Sequence, residues 1–368
     1  MKNTMTLIGI TGNIATGKSV VRRMLSNAGA LGLDADVIAH RMIYPQGPAF
    51  QAVMGTFGKG ILNHNSEINR AKLGEIVFND PNQLEILDSI VHPAVTSAIQ
   101  HRLAHTQAPL AALEAIKLVE AGLDEICDAV WVSHAPREVQ LKRLLETRGV
   151  TEEGAQTRIN AQPPQGGKLA RADLVIDTDG PFQSTWTQVI EGLNDTIQAK
   201  DLKASLSLSG RTFSPCAAHL PHDELLAYWE DHSGENAPSL YKALGSWMVQ
   251  PLVLEGRIQA LLLWEDWNFT ATLARVLPGK ALLTDLASIM ETFSTAARRQ
   301  GCELLLLTEA LVSSYDLNPT PLGFKQQKPA NLGYPAWRDA AQALDTGGGI
   351  WAQILHRPLE AEGNSQLK

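Results

Sequence analysis

An α/β fold, with a parallel sheet covered by helices on both faces, is predicted by two observations. Five short apolar runs, "TLIGIT", "ALGLDA", "PLAALEA", "AVWVSHA" and "DLVIDT", recur through roughly the first half of the 368-residue chain, and longer stretches with helical spacing separate them. Strands alternating with helices build a parallel sheet. Runs that are apolar throughout, rather than at every second residue, suit strands buried on both sides.

The first strand leads into "GNIATGKSV", in which Gly12, Gly17, Lys18 and Ser19 satisfy G-x-x-x-x-G-K-[ST]. This P-loop pattern cradles phosphate because its glycines let backbone N–H groups turn inward, while the following helix adds its positive N-terminal end. Gly12, Asn13, Ile14, Ala15, Thr16, Gly17, Lys18, Ser19 and Val20 are therefore the candidate ATP-binding residues. Lys18 is expected to reach the β- and γ-phosphates and the Ser19 hydroxyl to take one place on Mg²⁺. The second strand ends in "GLDADVIAH". If extended geometry persists there, Asp34 and Asp36 face the same way. One carboxylate then accepts a hydroxyl proton while the other orients Mg²⁺-bound water. The same acids would also cap a helix.

Further along, the helix "PREVQLKRLLETRG" carries Pro136 near its start and Gly149 after its end, and "TEEGAQTRINAQPP" opens on Thr151 and stops at Pro163. Arg143 and Arg148, with Arg158 beyond, have the chemistry of a phosphate clamp, although solvated surface arginines would look the same. A helical insertion from about residue 40 to 108 has the length of a substrate-binding region. Within it His92 precedes Pro93, a position that is more often structural than catalytic.

Composition narrows the partners. The net charge of −8 is shared evenly, with 21 acidic against 17 basic residues up to residue 198 and 18 against 14 beyond. No basic face for nucleic acid is implied. Cys127, Cys216 and Cys302 fit neither a disulfide framework nor a CxxC metal site and read as reduced core residues. The N-terminus lacks a signal-peptide apolar region, and "IQALLLW" and "CELLLLT" are far shorter than a membrane span. No membrane partner and a cytoplasmic location are expected, and the sequence does not reveal the oligomeric state.

Taken in order, the P-loop, "DAD", "FGKGIL", "INRAKLGEIVFNDP", "IVHPAV", "EAGL", "QLKRLL", "RINAQ" and "ADLVID" resemble the dephospho-coenzyme A kinase family over about residues 5–195. The resemblance implies a P-loop NTPase-type sheet with a helical substrate region and a mobile lid. It implies transfer of phosphate from ATP, with Mg²⁺, to the ribose 3′-hydroxyl of dephospho-coenzyme A, the last step of coenzyme A synthesis. Asp36 resembles the general base, Lys18 and Ser19 fill the phosphate and Mg²⁺ roles, and Arg143 matches the lid arginine. Asp34, His92 and Glu120 are read as substrate-binding. Four departures stand out: "GNIATGKSV" for the usual GGIGSGKST, "AIKLVE" for a PLLFE run, Thr147 before Arg148 in the lid, and Thr178 for asparagine. Asn13 is expected to tolerate left-handed geometry.

Near residue 199 the pattern weakens, which suggests a first domain of 1–198, a linker of 199–210 and a second domain of 211–368. The second domain reads as a strand "KASLSLS", a helix "HDELLAYWEDH", and strands near "WMVQPLVLEG", "RIQALLLWED" and "FTATLARVLP". A helix "LLTDLASIMETFSTAARRQG", a strand "CELLLLT" and "LGFKQQ" follow. This order is similar to the GNAT acetyltransferase fold, a second α/β (α+β) domain. The pyrophosphate turn of that family is replaced by "PGKALLTDL", with Gly279 and Lys280, so a catalytically degenerate module is expected. "WEDW" reads as core and interface. The alternatives are a kinase of another small alcohol, a nucleotide-binding sensor, and a bifunctional chain that also transfers acetyl groups.

Overall fold

The computed structural model describes residues 5–356 apart from 149, 205–221, 255–256, 278–285, 316, 346 and 348. The five predicted strands of the first half are β1 (Thr6–Thr11), β2 (Leu31–Asp34), β3 (Leu110–Glu114), β4 (Ala129–His134) and β5 (Leu174–Asp177). They form one parallel sheet in the order β2-β3-β1-β4-β5. Alternate side chains enter two cores, which is why the runs are apolar throughout. On one face Ile8, Ile10 and Trp131 pack with Val21 and Leu25 of α1 (Lys18–Asn27). On the other, Leu7, Leu33 and Leu113 pack with Ile38 of α2 (Ala35–Met42) and, beyond α3 (Phe50–Phe57) and α4 (Arg70–Asn79), with Ile99 of α5 (Pro81–His105).

Polar residues at some helix starts set the entry of those elements. Asn69 accepts the N–H groups of Ala71 and Lys72 to begin α4, and Asp80 accepts that of Asn82 ahead of Pro81 to begin α5. Helix α5 runs on through Pro93, so His92 lies mid-helix rather than at a turn. After β4 come α6 (Arg137–Arg148) and α7 (Glu152–Asn160), the latter capped by Thr151. The short α8 (Gly166–Leu169) precedes β5, and α9 (Phe182–Ala204) closes the first half. Helix α9 continues past residue 198, so the stretch read as a linker begins inside a helix. Of the strand expected in "KASLSLS", Lys203 and Ala204 end α9 and the remainder lies outside the described residues.

The second half holds α10 (His222–His232), α11 (Leu240–Ser246) and a mixed sheet. Its strands are β6 (Met248–Leu254), β7 (Arg257–Trp267), β8 (Thr270–Leu277), β9 (Leu304–Thr308), β10 (Lys325–Gln327) and β11 (Ile350–Ile354), in the order β10-β11-β9-β8-β7-β6. Only β8 and β9 pair in parallel, over Thr270–Thr272, and the other pairs are antiparallel. Helix α12 (Leu286–Arg299) covers one face through Phe293 against Trp264 and Leu305. The described helix begins at Leu286, and the "PGKALLTD" part of the predicted phosphate turn and helix start lies outside the described residues. Helices α13 (Glu309–Tyr315) and α14 (Pro335–Leu344), together with β11, were not predicted.

The turn joining β7 to β8 is where the halves interlock. Asn268 and Phe269 both take left-handed backbone, φ 53° and 59°, as a two-residue hairpin turn of this kind requires. Phe269 enters the core of the first half, with the guanidinium groups of Arg102 and Arg41 at 4.3 and 5.1 Å from its ring centroid. Both arginines also pair with Glu303, which is completely buried and accepts the Trp337 indole N–H as well.

Candidate active site

The loop between β1 and α1 shows why its glycines are glycines. A Cβ on Gly12 would sit 2.6 Å from the Ser133 carbonyl oxygen. Gly17 has φ 89°, and a Cβ there would crowd Thr178 at 3.1 Å. The left-handed non-glycine residue of the loop is Ala15 (φ 58°), not Asn13 as expected. Ala15 stands where the family pattern has glycine, so this loop holds a backbone strain that glycine would relieve.

Lys18 is buried, and its ammonium donates to the Asn13 carbonyl at 3.0 Å. The Ser19 hydroxyl donates to Glu114 Oε1 at 2.7 Å. Glu114 was missed in the sequence, although an acid at the end of a buried strand beside the P-loop strand was the available signal. Its register partners are Ile10 on β1 and Asp34 on β2, so it stands between the loop and the "DAD" segment. Val20, by contrast, does not face the loop's phosphate side: it packs with Phe182 beside α11, and a Cβ on Gly245 would lie 3.0 Å from it.

Extended geometry does not persist through "DAD", because β2 ends at Asp34 and α2 begins at Ala35. Asp34 is the helix cap, its Oδ1 accepting from Asp36 N at 3.0 Å and Val37 N at 3.1 Å. Burial and the nearby Glu114 push its carboxyl up to about 6, against the opposing pull of Arg22. Asp36 lies in the first turn of α2. The surrounding protein and Glu114 raise its carboxyl above the ordinary range, while Lys18, the backbone N–H of Ile116 and Lys117 pull it back.

That N–H gives the departure at Ile116 a physical meaning, since a proline there would have none to offer. The Ile116 carbonyl takes the Thr11 hydroxyl at 3.1 Å and the ammonium of Lys168 at 2.6 Å. Lys168, a second residue missed in the sequence, is buried and lies 3.7 Å from Glu120. Burial lowers its affinity for a proton, against Glu120 and Asp36. Glu120 therefore meets the site through Lys168. His92 stands further out, its Nε2 3.5 Å from Asp88, whose other oxygen accepts from Lys117 at 2.9 Å.

Arg143 grips the loop from behind. It donates to the Ala15 carbonyl and the Thr178 hydroxyl, both at 3.0 Å, and to the Thr178 carbonyl. Thr178, the residue in place of asparagine, donates in turn to the Thr16 carbonyl at 2.8 Å. Gln162, after α7, accepts the Ile14 N–H at 2.6 Å, and the Asn13 amide donates to the Pro163 carbonyl at 3.0 Å. Arg158 on α7 is exposed and touches none of this, while the side chains of Thr147 and Arg148 lie outside the described residues. Cys127 is deactivated by burial, which pushes its thiol up to about 12, and Cys302 is buried too. Cys216 lies outside the described residues.

A strand, a glycine loop, a buried lysine and a hydroxyl–carboxylate pair at the C-terminal edge of a parallel sheet define a P-loop phosphotransferase. The CoaE dephospho-CoA kinase family model matches residues 6–184. The dephospho-CoA kinase of Carboxydothermus hydrogenoformans is 42% identical over 187 residues, covering 91% of that protein and 50% of this chain. That of Geobacter metallireducens is 40% identical over 197 residues, covering 98% of that protein and 53% of this chain. The crystal structure of TT1252 from Thermus thermophilus aligns at 29% identity with a TM-score of 0.48, over 97% of that chain and 52% of this one. The chain belongs to the dephospho-CoA kinase family, and it is an ATP-dependent kinase of dephospho-CoA that acts in coenzyme A biosynthesis. Among the described residues no helix is long and apolar enough to cross a membrane.

Proposed function

We propose that Asp36 is the general base that takes the proton of the ribose 3′-hydroxyl as it attacks the γ-phosphate. The observation that carries this is the setting of Asp36: solvent-accessible, flanked by Glu114 and Lys18, and oriented by the Ile116 N–H. A carboxyl raised toward neutrality is a better proton acceptor than an ordinary aspartate. Lys18 leaves the Asn13 carbonyl for the β- and γ-phosphate oxygens, and the inward N–H groups of residues 12–17 hold the rest. Gln162 and Pro163, already bonded to the loop, act with α6 and α7 as the lid.

Mg²⁺ fits the donor set of Ser19 Oγ and Glu114, two hard oxygen ligands 2.7 Å apart. Among the described residues no three His, Cys, Asp or Glu side chains converge on one point. An ion held by Ser19 and Glu114 would supply positive charge against the phosphate oxygens. Asp34, raised by burial and then by Glu114, would be relieved by a cation here.

Arg143 supports the loop through Ala15 and Thr178, and Glu120 positions Lys168 beside the acceptor. Residues 1–198 supply this chemistry in the cytoplasm, with a small molecule rather than nucleic acid or membrane as the partner. For residues 211–368 the reading is a GNAT-like module that is catalytically degenerate because its sequence has "PGKALLTDL" in place of the pyrophosphate turn. The GNAT-like part is supported by the mixed sheet of the described residues, in which β8 and β9 pair in parallel.

The test is ADP release from Mg-ATP with and without dephospho-CoA, and the product's mass. Acceptor-dependent ADP and a 3′-phosphorylated product are expected. Asp36→Asn should lower turnover by about 10²–10⁴-fold with ATP binding retained. Undiminished turnover in that variant would remove Asp36 as the base.

A further inference from the structure

The contact between the halves reaches the metal-binding carboxylate. Arg22, one turn after Ser19 on α1, donates through Nε to Glu114 Oε2 at 3.0 Å and through Nη1 to Asp266 Oδ2 at 3.3 Å. Arg23 donates to the other oxygen of Asp266. Glu114 is left with Oε1 for Ser19. The side chains of Arg22, Glu114, Asp266 and Arg23 are only 9%, 6%, 11% and 14% exposed, so water does little to screen them. Asp266 lies near the end of β7, next to the hairpin turn whose Phe269 is locked between Arg41 and Arg102. The family match ends at residue 184, so Asp266 lies outside it.

We infer that Asp266, a residue of the second half, is a positioning residue for the phosphotransfer site, holding Arg22 so that Glu114 keeps one oxygen turned to Ser19 and the metal. The inference rests on the reading of Ser19 and Glu114 as the metal seat. The physical reason is the geometry of a shared guanidinium. Asp266 on Nη1 fixes the plane of the guanidinium, and in that orientation Arg22 meets Glu114 through Nε. Without that anchor the guanidinium is free to turn and bring Nη2 beside Nε, engaging Glu114 through two parallel hydrogen bonds and occupying both oxygens. Arg22 and Arg23 would also lose their shared counter-charge, which favours collapse of one of them onto Glu114. The second half thus sets how much of the Glu114 charge is available to a cation.

The experiment uses the full chain and two readings: Mn²⁺ binding in the presence of ADP, from the EPR signal of free Mn²⁺, and the Mg²⁺ concentration for half-maximal kinase activity. Asp266→Asn should weaken Mn²⁺ binding and raise the Mg²⁺ requirement, each about tenfold, the lower range for residues that orient metal ligands. KM for dephospho-CoA should stay unchanged, and Asp266→Glu should recover most of the loss. Unchanged Mn²⁺ affinity in a folded Asp266→Asn, with Glu114→Gln weakening it, would overturn the inference alone. Unchanged affinity in Glu114→Gln would overturn the metal seat and this inference with it. Where Asp266→Asn does not fold, Asp266→Ser carries the same test, because it keeps Arg22 and removes the carboxylate that holds it. A similar loss supports the inference, and none overturns it.

Discussion

The two halves of this chain use charge in opposite ways. In the first half the acids gather at the C-terminal edge of the sheet, where burial and the nearby Glu114 raise the proton affinity of Asp34 and Asp36. In the second half the charged residues that matter are buried against the first. Glu303 is paired with Arg41 and Arg102, and Asp266 with Arg22 and Arg23. One arrangement keeps acids in excess, ready for a cation and a phosphate. The other neutralises each charge at the join. Arg22 belongs to both, pairing with Glu114 of the site and Asp266 of the join.

The largest stability effect should come from the compensated side. Glu303→Ala leaves two arginines without their buried counter-charge and should cost about 3–5 kcal/mol in denaturant unfolding. Removing the more exposed carboxylate that pairs with Lys117, in Asp88→Ala, should cost under about 1 kcal/mol. Equal losses would erase the distinction between the join and the surface.

Proton affinity sharpens the other side. Ile116→Pro removes the N–H that favours ionised Asp36, so its carboxyl should rise further. The acid limb of the turnover–pH profile should then move to higher pH, and an unmoved limb would detach Asp36 from that bond. Asp34 tests the same idea through stability. Its folded value of about 6 lies above its unfolded value, so the folded state binds the extra proton. Without metal, this group's stabilising contribution is fully present below about pH 4 and is lost as pH rises through about 6. Asp34→Asn should flatten that slope in melting temperature measured across the interval, and an unchanged slope would mean that Asp34 takes up no extra proton on folding.

The smallest effect concerns the loop. Ala15→Gly relieves a left-handed alanine and should stabilise by about 1 kcal/mol or less, since glycine also gains freedom when unfolded. A clear loss on denaturation would show that the alanine packing against α6 and α7 outweighs its strain.

Much of the first half was legible because its signals are local. Continuous apolar runs marked all five strands, and the loop pattern located Lys18 and Ser19. Glu114 and Lys168 were not legible because their meaning is spatial: one is a strand-end acid, the other a lysine in a polar segment, and only the fold brings them to Ser19 and Ile116. The packing of the Val20 side chain is not legible for the same reason, as its neighbour is Gly245, far away in sequence. In the second half "WEDW" reads as core and interface, and its residues divide: Trp264 is buried, Trp267 is half exposed and Asp266 joins the halves. Its partners on α1 could not be read, because an arginine that pairs across an interface looks in sequence like one in water.

Calorimetric unfolding of the full chain, with and without Mg-ATP, tests most directly whether the buried charges make the halves one unit. A single transition is predicted, moving as a whole to higher temperature when Mg-ATP binds. Two transitions, of which Mg-ATP moves only one, would contradict it.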